Sequence, residues 1–226
     1  MNEIITTEFK PWPKIARLNR RVTVSEKLDG SNGQVAILPI LLAEPAPEAA
    51  IVSWPSAESP TGGFCMFAGS RTRWVTPAND NYGFAAWVLD NHVALMKLGP
   101  GRHFGEWWGR GIQRNYGLTE RRFSLFNTER WCLHNEEPKL IPSGNPKAEP
   151  KYQDKLPECV GLVPVLYQGP FSQAAIEDEG LWILRTYGSR AAPGFMNPEG
   201  VVVFHHAANI SFKVTLEGDE SPKSIA

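Results

Sequence analysis

The chain has 226 residues, 42% of them hydrophobic, which is enough for one full-sized domain with a core of its own. Twenty-three Lys plus Arg stand against 24 Asp plus Glu, so overall charge carries no polyanion-binding signature and any nucleic-acid surface must be a local patch. Cys65, Cys132 and Cys159 lie far apart without the CxxC spacing of zinc or redox sites, no stretch approaches the roughly 18 apolar residues of a membrane span, and the first residues show no leader pattern, so the expectation is a soluble, cytoplasmic protein with no membrane partner.

In chain order, alternating or continuous β-branched and apolar runs predict strands at 22–24, 34–38, 64–67, 123–126, 160–166, 201–204 and 210–216. One helix is expected from about Asn81 to Lys97, with Phe84, Trp87, Val88 and Leu95 on one face, and a second after Ser172 as N-cap, stopping at Gly188. Residues 39–63 hold five prolines and end in Gly62-Gly63, which reads as an extended hairpin loop, and the polar stretch 135–157 reads similarly. Many strands, two intervening helices and no regular βα alternation give α+β architecture with antiparallel sheets, in a single domain.

Four stretches concentrate chemistry. In Ser25-Glu26-Lys27-Leu28-Asp29-Gly30 a strand ends in a lysine and turns through Asp-Gly; the dipeptide is equally a common hairpin signal beside a solvated lysine. A nucleophilic Lys27 requires a neutral amine, although an ordinary lysine titrates near ~10.4. Residues 104–117, FGEWWGRGIQRNYG, pack a carboxylate and two tryptophans among four glycines, and Trp107 or Trp108 also suits a core. Glu199 stands at the mouth of the apolar run Val201-Val202-Val203, where an unpaired charge is costly and a metal or cationic partner would justify it. In Ser211-Phe212-Lys213-Val214-Thr215, alternation puts Lys213 and Thr215 on one face.

In this order the segments resemble the motifs of the covalent nucleotidyltransferases, the superfamily of polynucleotide ligases and messenger-RNA capping enzymes. Lys27-Leu28-Asp29-Gly30 is similar to the KxDG motif, Phe104-Gly105-Glu106 to the third motif, Phe123-Ser124-Leu125-Phe126 to its follower, Glu199-Gly200-Val201-Val202 to the fourth and Lys213-Val214-Thr215 to the fifth. Asn32, where DNA ligases and capping enzymes typically carry arginine, together with FGEWWGRGIQ and Ser70-Arg71-Thr72, resembles the RNA ligase 2 branch. The resemblance covers about 9–216 and implies antiparallel sheets flanked by helices around a nucleotide cleft.

It also implies an ATP-dependent RNA ligase: Lys27 takes AMP from ATP as lysyl-AMP and passes it to a 5′-phosphate end before sealing. Glu106 then binds the ribose, Phe126 stacks on adenine, the backbone near Glu26 reads the adenine edge, and Lys213 neutralises phosphate. Glu199 holds Mg²⁺ or Mn²⁺, Asn32 and Arg71 position the nucleic-acid end, and Arg71, Arg73, Arg110 and Arg114 are the expected phosphate contacts. The implied partners are nucleic-acid ends, RNA favoured, bound by a monomer with room for an accessory protein or domain in trans, because eleven residues from Leu216 hold no C-terminal accessory domain. Compact ligases of this kind resemble phage repair enzymes.

Two positions depart from the pattern: Thr215 replaces the usual second lysine, and Asn127 the aspartate general in the RNA ligase 2 branch. They keep open a non-catalytic RNA-binding module derived from a ligase, while Asp29 keeps open a DNA ligase or capping-type transferase. His205 and His206 read as edge-strand residues facing opposite ways, Trp54 and Trp74 as locally packed, and Cys65 has no assigned role.

Overall fold

The computed structural model describes residues 9, 11–12, 14–41, 47–56, 59–143 and 147–219. Two sheets carry the architecture, and the chain passes from one to the other at the Asp-Gly turn. Strand β1 (Arg21–Lys27) lies inside a four-stranded antiparallel sheet with β11 (Val165–Pro170), β12 (Gly200–His205) and β13 (Ile210–Thr215), ordered β11-β1-β12-β13. Strand β2 (Ser31–Leu41) opens a seven-stranded sheet with β3 (Val52–Ser56), β4 (Ser59–Gly69), β5 (Trp74–Val75), β6 (Gly101–Gly109), β7 (Arg121–Leu125) and β10 (Val160–Leu162), in which β6 lies between β7 and β2.

The expected antiparallel pairing dominates, with two parallel exceptions: β10 beside β7, and β8 (Trp131–Cys132) beside β9 (Asp154–Lys155). β10 returns beside β7 after the excursion at 126–159, and β9 returns beside β8 after the connection at 133–153 within it, each long enough to bring the chain back in the same direction. The expected strand at 160–166 is interrupted, since β10 ends at Leu162 in one sheet and β11 starts at Val165 in the other. The stretch 39–63 is not simply a loop. β2 runs through Pro39 to Leu41 and β4 begins at Ser59. Pro39 is tolerated because β6 stops pairing at Ile37, so its missing N–H breaks no ladder on that side. Residues 42–46 and 57–58 of that stretch lie outside the described residues.

The first expected helix is α1 (Phe84–Asp90), α2 (His92–Leu95) and a 3₁₀ turn (Met96–Leu98). Phe84, Val88 and Leu95 are buried against Ile37, Met66 and Phe123 of the large sheet, each side chain contributing about 1.5–3 kcal/mol of apolar burial. Asp80 caps this helix from outside, its carboxylate accepting from Ala85 N–H at 2.8 Å and Ala86 N–H at 2.9 Å. The second is α3 (Gln173–Ile176), a π-helical turn (Glu177–Leu181) and α4 (Trp182–Tyr187). Ser172 caps it by accepting from Ala175 N–H at 3.0 Å, and Gly188 ends it at φ 73°. Its Leu181 and Leu184 cover Val22, Val24, Val201 and Val203 of the small sheet.

Trp107 and Trp108 are both buried, and Trp54 and Trp74 pack locally on Phe64 and Phe67. His205 ends β12, an inner strand rather than an edge, and His206 lies in the turn just past it. His205 bonds the Leu18 carbonyl and His206 the Thr23 hydroxyl.

Candidate active site

Helix packing covers one face of the small sheet, and Lys27 stands on the other. Directly paired residues share a face, and alternate residues along a strand return to it. Lys27 pairs with Gly200, which pairs with Thr215, while Ser25 pairs with Val202 and Val202 with Lys213. Lys27, Lys213 and Thr215 therefore stand on one face, opposite the Val24–Val203 core. Gly200, at φ 150°, keeps the row open: a Cβ there would fall 2.2 Å from the Val214 carbonyl. The Lys27 Nζ lies 2.5 Å from Glu199 Oε2, with both side chains about one-fifth exposed, so the cationic partner that Glu199 required is Lys27.

The large sheet supplies the facing wall. Asn32 pairs with Glu106 and Glu106 with Ser124, so alternation carries the same face on to Phe126. Glu106 is buried, accepting from Gly30 N–H at 3.1 Å and Asn32 Nδ2 at 3.4 Å. Burial pushes its carboxyl up to about 7, opposed by the Lys27 charge and reinforced by Glu199 and Asp29. Gly30 approaches closely enough for this bond because it has no side chain; a Cβ would meet the Trp107 carbonyl at 2.5 Å. Phe126 is 44% exposed and Lys213 is exposed. Arg71 is exposed in the turn after β4, lining a groove of about 250 Å³ with Gln34, Gly69 and Trp74.

Glu26 points away from the cleft. Its carboxylate accepts from Ser189 Oγ at 2.5 Å, Arg190 N–H at 2.7 Å and Ala191 N–H at 3.0 Å, and burial raises its pKa against those bonds. The side chain thus anchors the loop after α4, and the Glu26 N–H donates to the Pro164 carbonyl at 2.9 Å. The Thr215 hydroxyl donates to the Glu217 carbonyl at 2.9 Å, and its N–H to Asp219 at 2.9 Å.

Sequence reasoning missed the brace behind Lys27. Arg114, expected as a phosphate contact, donates instead from Nε to Asp29 at 3.0 Å and from Nη1 to the Asn197 side-chain oxygen at 2.8 Å. The Tyr116 hydroxyl accepts from Asp29 N–H at 2.8 Å. The density of glycine and polar residues at 109–117 was the available signal, but it did not say which side chain turned inward. Lys27, Glu199, Glu106 and Asn32 are brought together, with Lys213 on the Lys27 face, whereas Phe126 and Arg71 flank them on the large-sheet side.

Among the described residues no three His, Cys, Asp or Glu side chains converge to hold a metal. The partly exposed Glu199 carboxylate, beside Glu106, fits a Mg²⁺ or Mn²⁺ ion that keeps several waters and takes further oxygens from a phosphate, rather than an all-protein cage. Nor, among these residues, is any helix long and apolar enough to cross a membrane.

No curated protein matches the chain. Among solved structures it is similar to Naegleria gruberi RNA ligase: an apo mutant at 18% identity, covering 87% of this chain and 50% of that one, with a TM-score of 0.45. A mutant with ATP and Mn aligns at 16% identity, covering 88% and 50%, also at 0.45. The chain thus spans about half the length of these solved chains. The RNA ligase family model matches residues 20–215, from just before β1 to the end of β13; across both walls of the cleft the chain belongs to the RNA ligase family.

Proposed function

We propose that this chain is the adenylyl-transferring part of an ATP-dependent RNA ligase, with Lys27 as the nucleophile. The observation that carries the reading is the placement of Lys27: rigid at a strand end, against Glu199, on one face with Lys213, and opposite a wall carrying Glu106 and Asn32. Family membership supports it.

On this reading the Lys27 nitrogen, deprotonated, attacks the α-phosphorus of ATP. A nitrogen–phosphorus bond forms, the bond to the leaving oxygen breaks, and pyrophosphate departs. An oxygen of the RNA 5′-phosphate then attacks the AMP phosphorus and the nitrogen–phosphorus bond breaks, releasing Lys27; the neighbouring 3′-hydroxyl, giving its proton to solvent, attacks the 5′-phosphorus, and the phosphoanhydride bond breaks to expel AMP and seal the strand. Glu106 binds the ribose, Phe126 stacks on adenine, and the backbone beside Glu26 meets the base edge. Lys213 balances charge developing on phosphate, and Asn32 and Arg71 position the RNA end. Lys27 is free to attack only after leaving its ion pair with Glu199. Glu199 is the carboxylate that would hold a divalent cation, and such an ion would supply charge neutralisation on the phosphates.

Incubation with ATP labelled at the α-phosphate and Mg²⁺ should leave an acid-labile label on the protein that Lys27→Ala abolishes. A wild-type chain that takes no label overturns the reading. Labelling from GTP instead points to capping chemistry, and a panel of RNA, DNA and hybrid nicks reports the acceptor.

A further inference from the structure

We propose that Arg114 is a positioning residue that sets the contact between Lys27 and Glu199, and is not part of the phosphate-binding surface. The inference rests on the reading of Lys27 as nucleophile.

Lys27 lies two residues before Asp29, and Asn197 two residues before Glu199. Arg114 joins the far members of these pairs, donating from Nε to Asp29 Oδ2 at 3.0 Å and from Nη1 to the Asn197 carbonyl at 3.1 Å and side-chain oxygen at 2.8 Å. Lys27 and Glu199 join the near members at 2.5 Å. The three segments, 27–29, 197–199 and the loop carrying Arg114, form a closed circuit in which one guanidinium fixes the spacing of the two strand ends that carry the nucleophile and its carboxylate. The planar fork of arginine suits this; a lysine ammonium offers charge without the fixed geometry of three bonds.

The loop that delivers Arg114 is held in conformations its sequence does not favour. Gln113, Asn115 and Tyr116 have φ of 43°, 59° and 51°, and among them Gln113 and Tyr116 gain nothing from the left-handed region. Such backbone persists where the surroundings over-determine it, and the surroundings here do. Asn115 accepts from Gly111 N–H at 2.7 Å. Tyr116 is buried between Trp108 and Phe195, at 4.9 and 4.7 Å between ring centres, and Phe195 lies two residues before Asn197. The aromatic cluster, whose Tyr116 hydroxyl also accepts from Asp29 N–H, and the guanidinium therefore brace the same two segments. Arg114 is also withdrawn, its side chain 25% exposed with Nε and Nη1 engaged, whereas Arg71 and Arg110 are open to solvent.

The test compares the wild type with Arg114→Ala, Arg114→Lys, Asn197→Ala and the Arg114→Ala/Asn197→Ala double variant, in single-turnover Lys27 adenylylation over a range of ATP concentrations. Loss of the brace should lower the maximal rate roughly 10- to 100-fold while the ATP concentration at half-maximum moves less than about twofold. Arg114→Lys should fail to restore the rate, and the double variant should be no slower than Arg114→Ala alone. A raised half-maximal ATP concentration at unchanged rate, rescue by lysine, or additive losses would each overturn the proposal in favour of a phosphate contact. A second arm needs no nucleotide: competitive acetylation of Lys27, read by mass spectrometry against Lys97. Arg114→Ala and the milder Asn197→Ala should both raise the Lys27 rate severalfold, and an unchanged rate in both overturns the proposal. If the wild type takes no AMP, the ligase reading fails while the acetylation arm still decides the role of Arg114.

Discussion

Lys27 ends one strand, Glu199 precedes its neighbour, and their side chains meet at 2.5 Å on the cleft face of the small sheet. The pair is partly solvated, so its contribution to stability is small, about 1 kcal/mol or less. On the proposed mechanism its contribution to chemistry is larger, because Lys27 must leave this carboxylate before it attacks. Glu199→Gln keeps the shape and removes the charge. It should leave thermal unfolding within a few degrees of wild type while slowing Lys27 adenylylation about 100-fold. Rapid-quench labelling beside a melting curve separates the two, and a wild-type labelling rate would remove Glu199 from the mechanism.

Glu106 predicts a pH dependence of stability. Its ordinary carboxyl value of 4.5 rises to about 7 in the folded chain, chiefly through burial. Below pH 4.5 the group is protonated folded or unfolded, and its burial carries no ionisation penalty. As pH rises towards 7 the unfolded chain ionises first, so stability is lost progressively and the loss is complete above 7, on the order of 3 kcal/mol. Glu106→Gln removes the titration while leaving an oxygen for Gly30 N–H. Urea unfolding at pH 5 and pH 8 should show a smaller loss of stability in the variant; equal losses in both proteins would mean Glu106 is not the group responsible.

The elements legible in the sequence were those whose signal is local. Ser172 and Gly188 mark their helix because a cap and a left-handed stop act within one turn. Lys27, Glu106, Glu199 and Lys213 were legible as ordered motifs, and strand register then explains why residues so far apart face one another. What stayed hidden is long-range. Nothing near Glu26 says that its carboxylate is consumed by Ser189, Arg190 and Ala191, some 163 residues on. Arg114 looked like any other loop arginine until the fold brought Asn197 to it, and Pro39 looked like a strand terminator because the end of β6 pairing cannot be seen in sequence.

Phe126 continues the cleft face past Ser124 with its ring 44% exposed, and its backbone N–H is fixed to the Phe104 carbonyl at 3.0 Å. An exposed ring on a fixed backbone has little packing to lose. Stacking of a base on an aromatic side chain is worth about 1–3 kcal/mol. Phe126→Ala should therefore weaken ATP binding roughly tenfold, read as a rise in half-maximal ATP for labelling. Its melting temperature should stay close to wild type. A variant that binds ATP normally would place the adenine elsewhere.

Thr215 stands in the same cross-strand row as Lys27, separated from it by the bare Gly200, at the position where the family pattern carries a second lysine. Its hydroxyl is committed to the Glu217 carbonyl and reaches Asp219 at 3.3 Å. Thr215→Lys trades these bonds, worth about 1 kcal/mol, for a cation on the Lys27 face. Phosphate charge on that face is then met by two lysines instead of one, and a charge-assisted contact is roughly twice as strong as a neutral one. The variant should adenylylate severalfold faster at low ATP and melt slightly lower than wild type, with both effects weakening in high salt. A slower rate would mean that the turn at 217–219, held by the threonine, is itself needed to shape the phosphate side of the cleft.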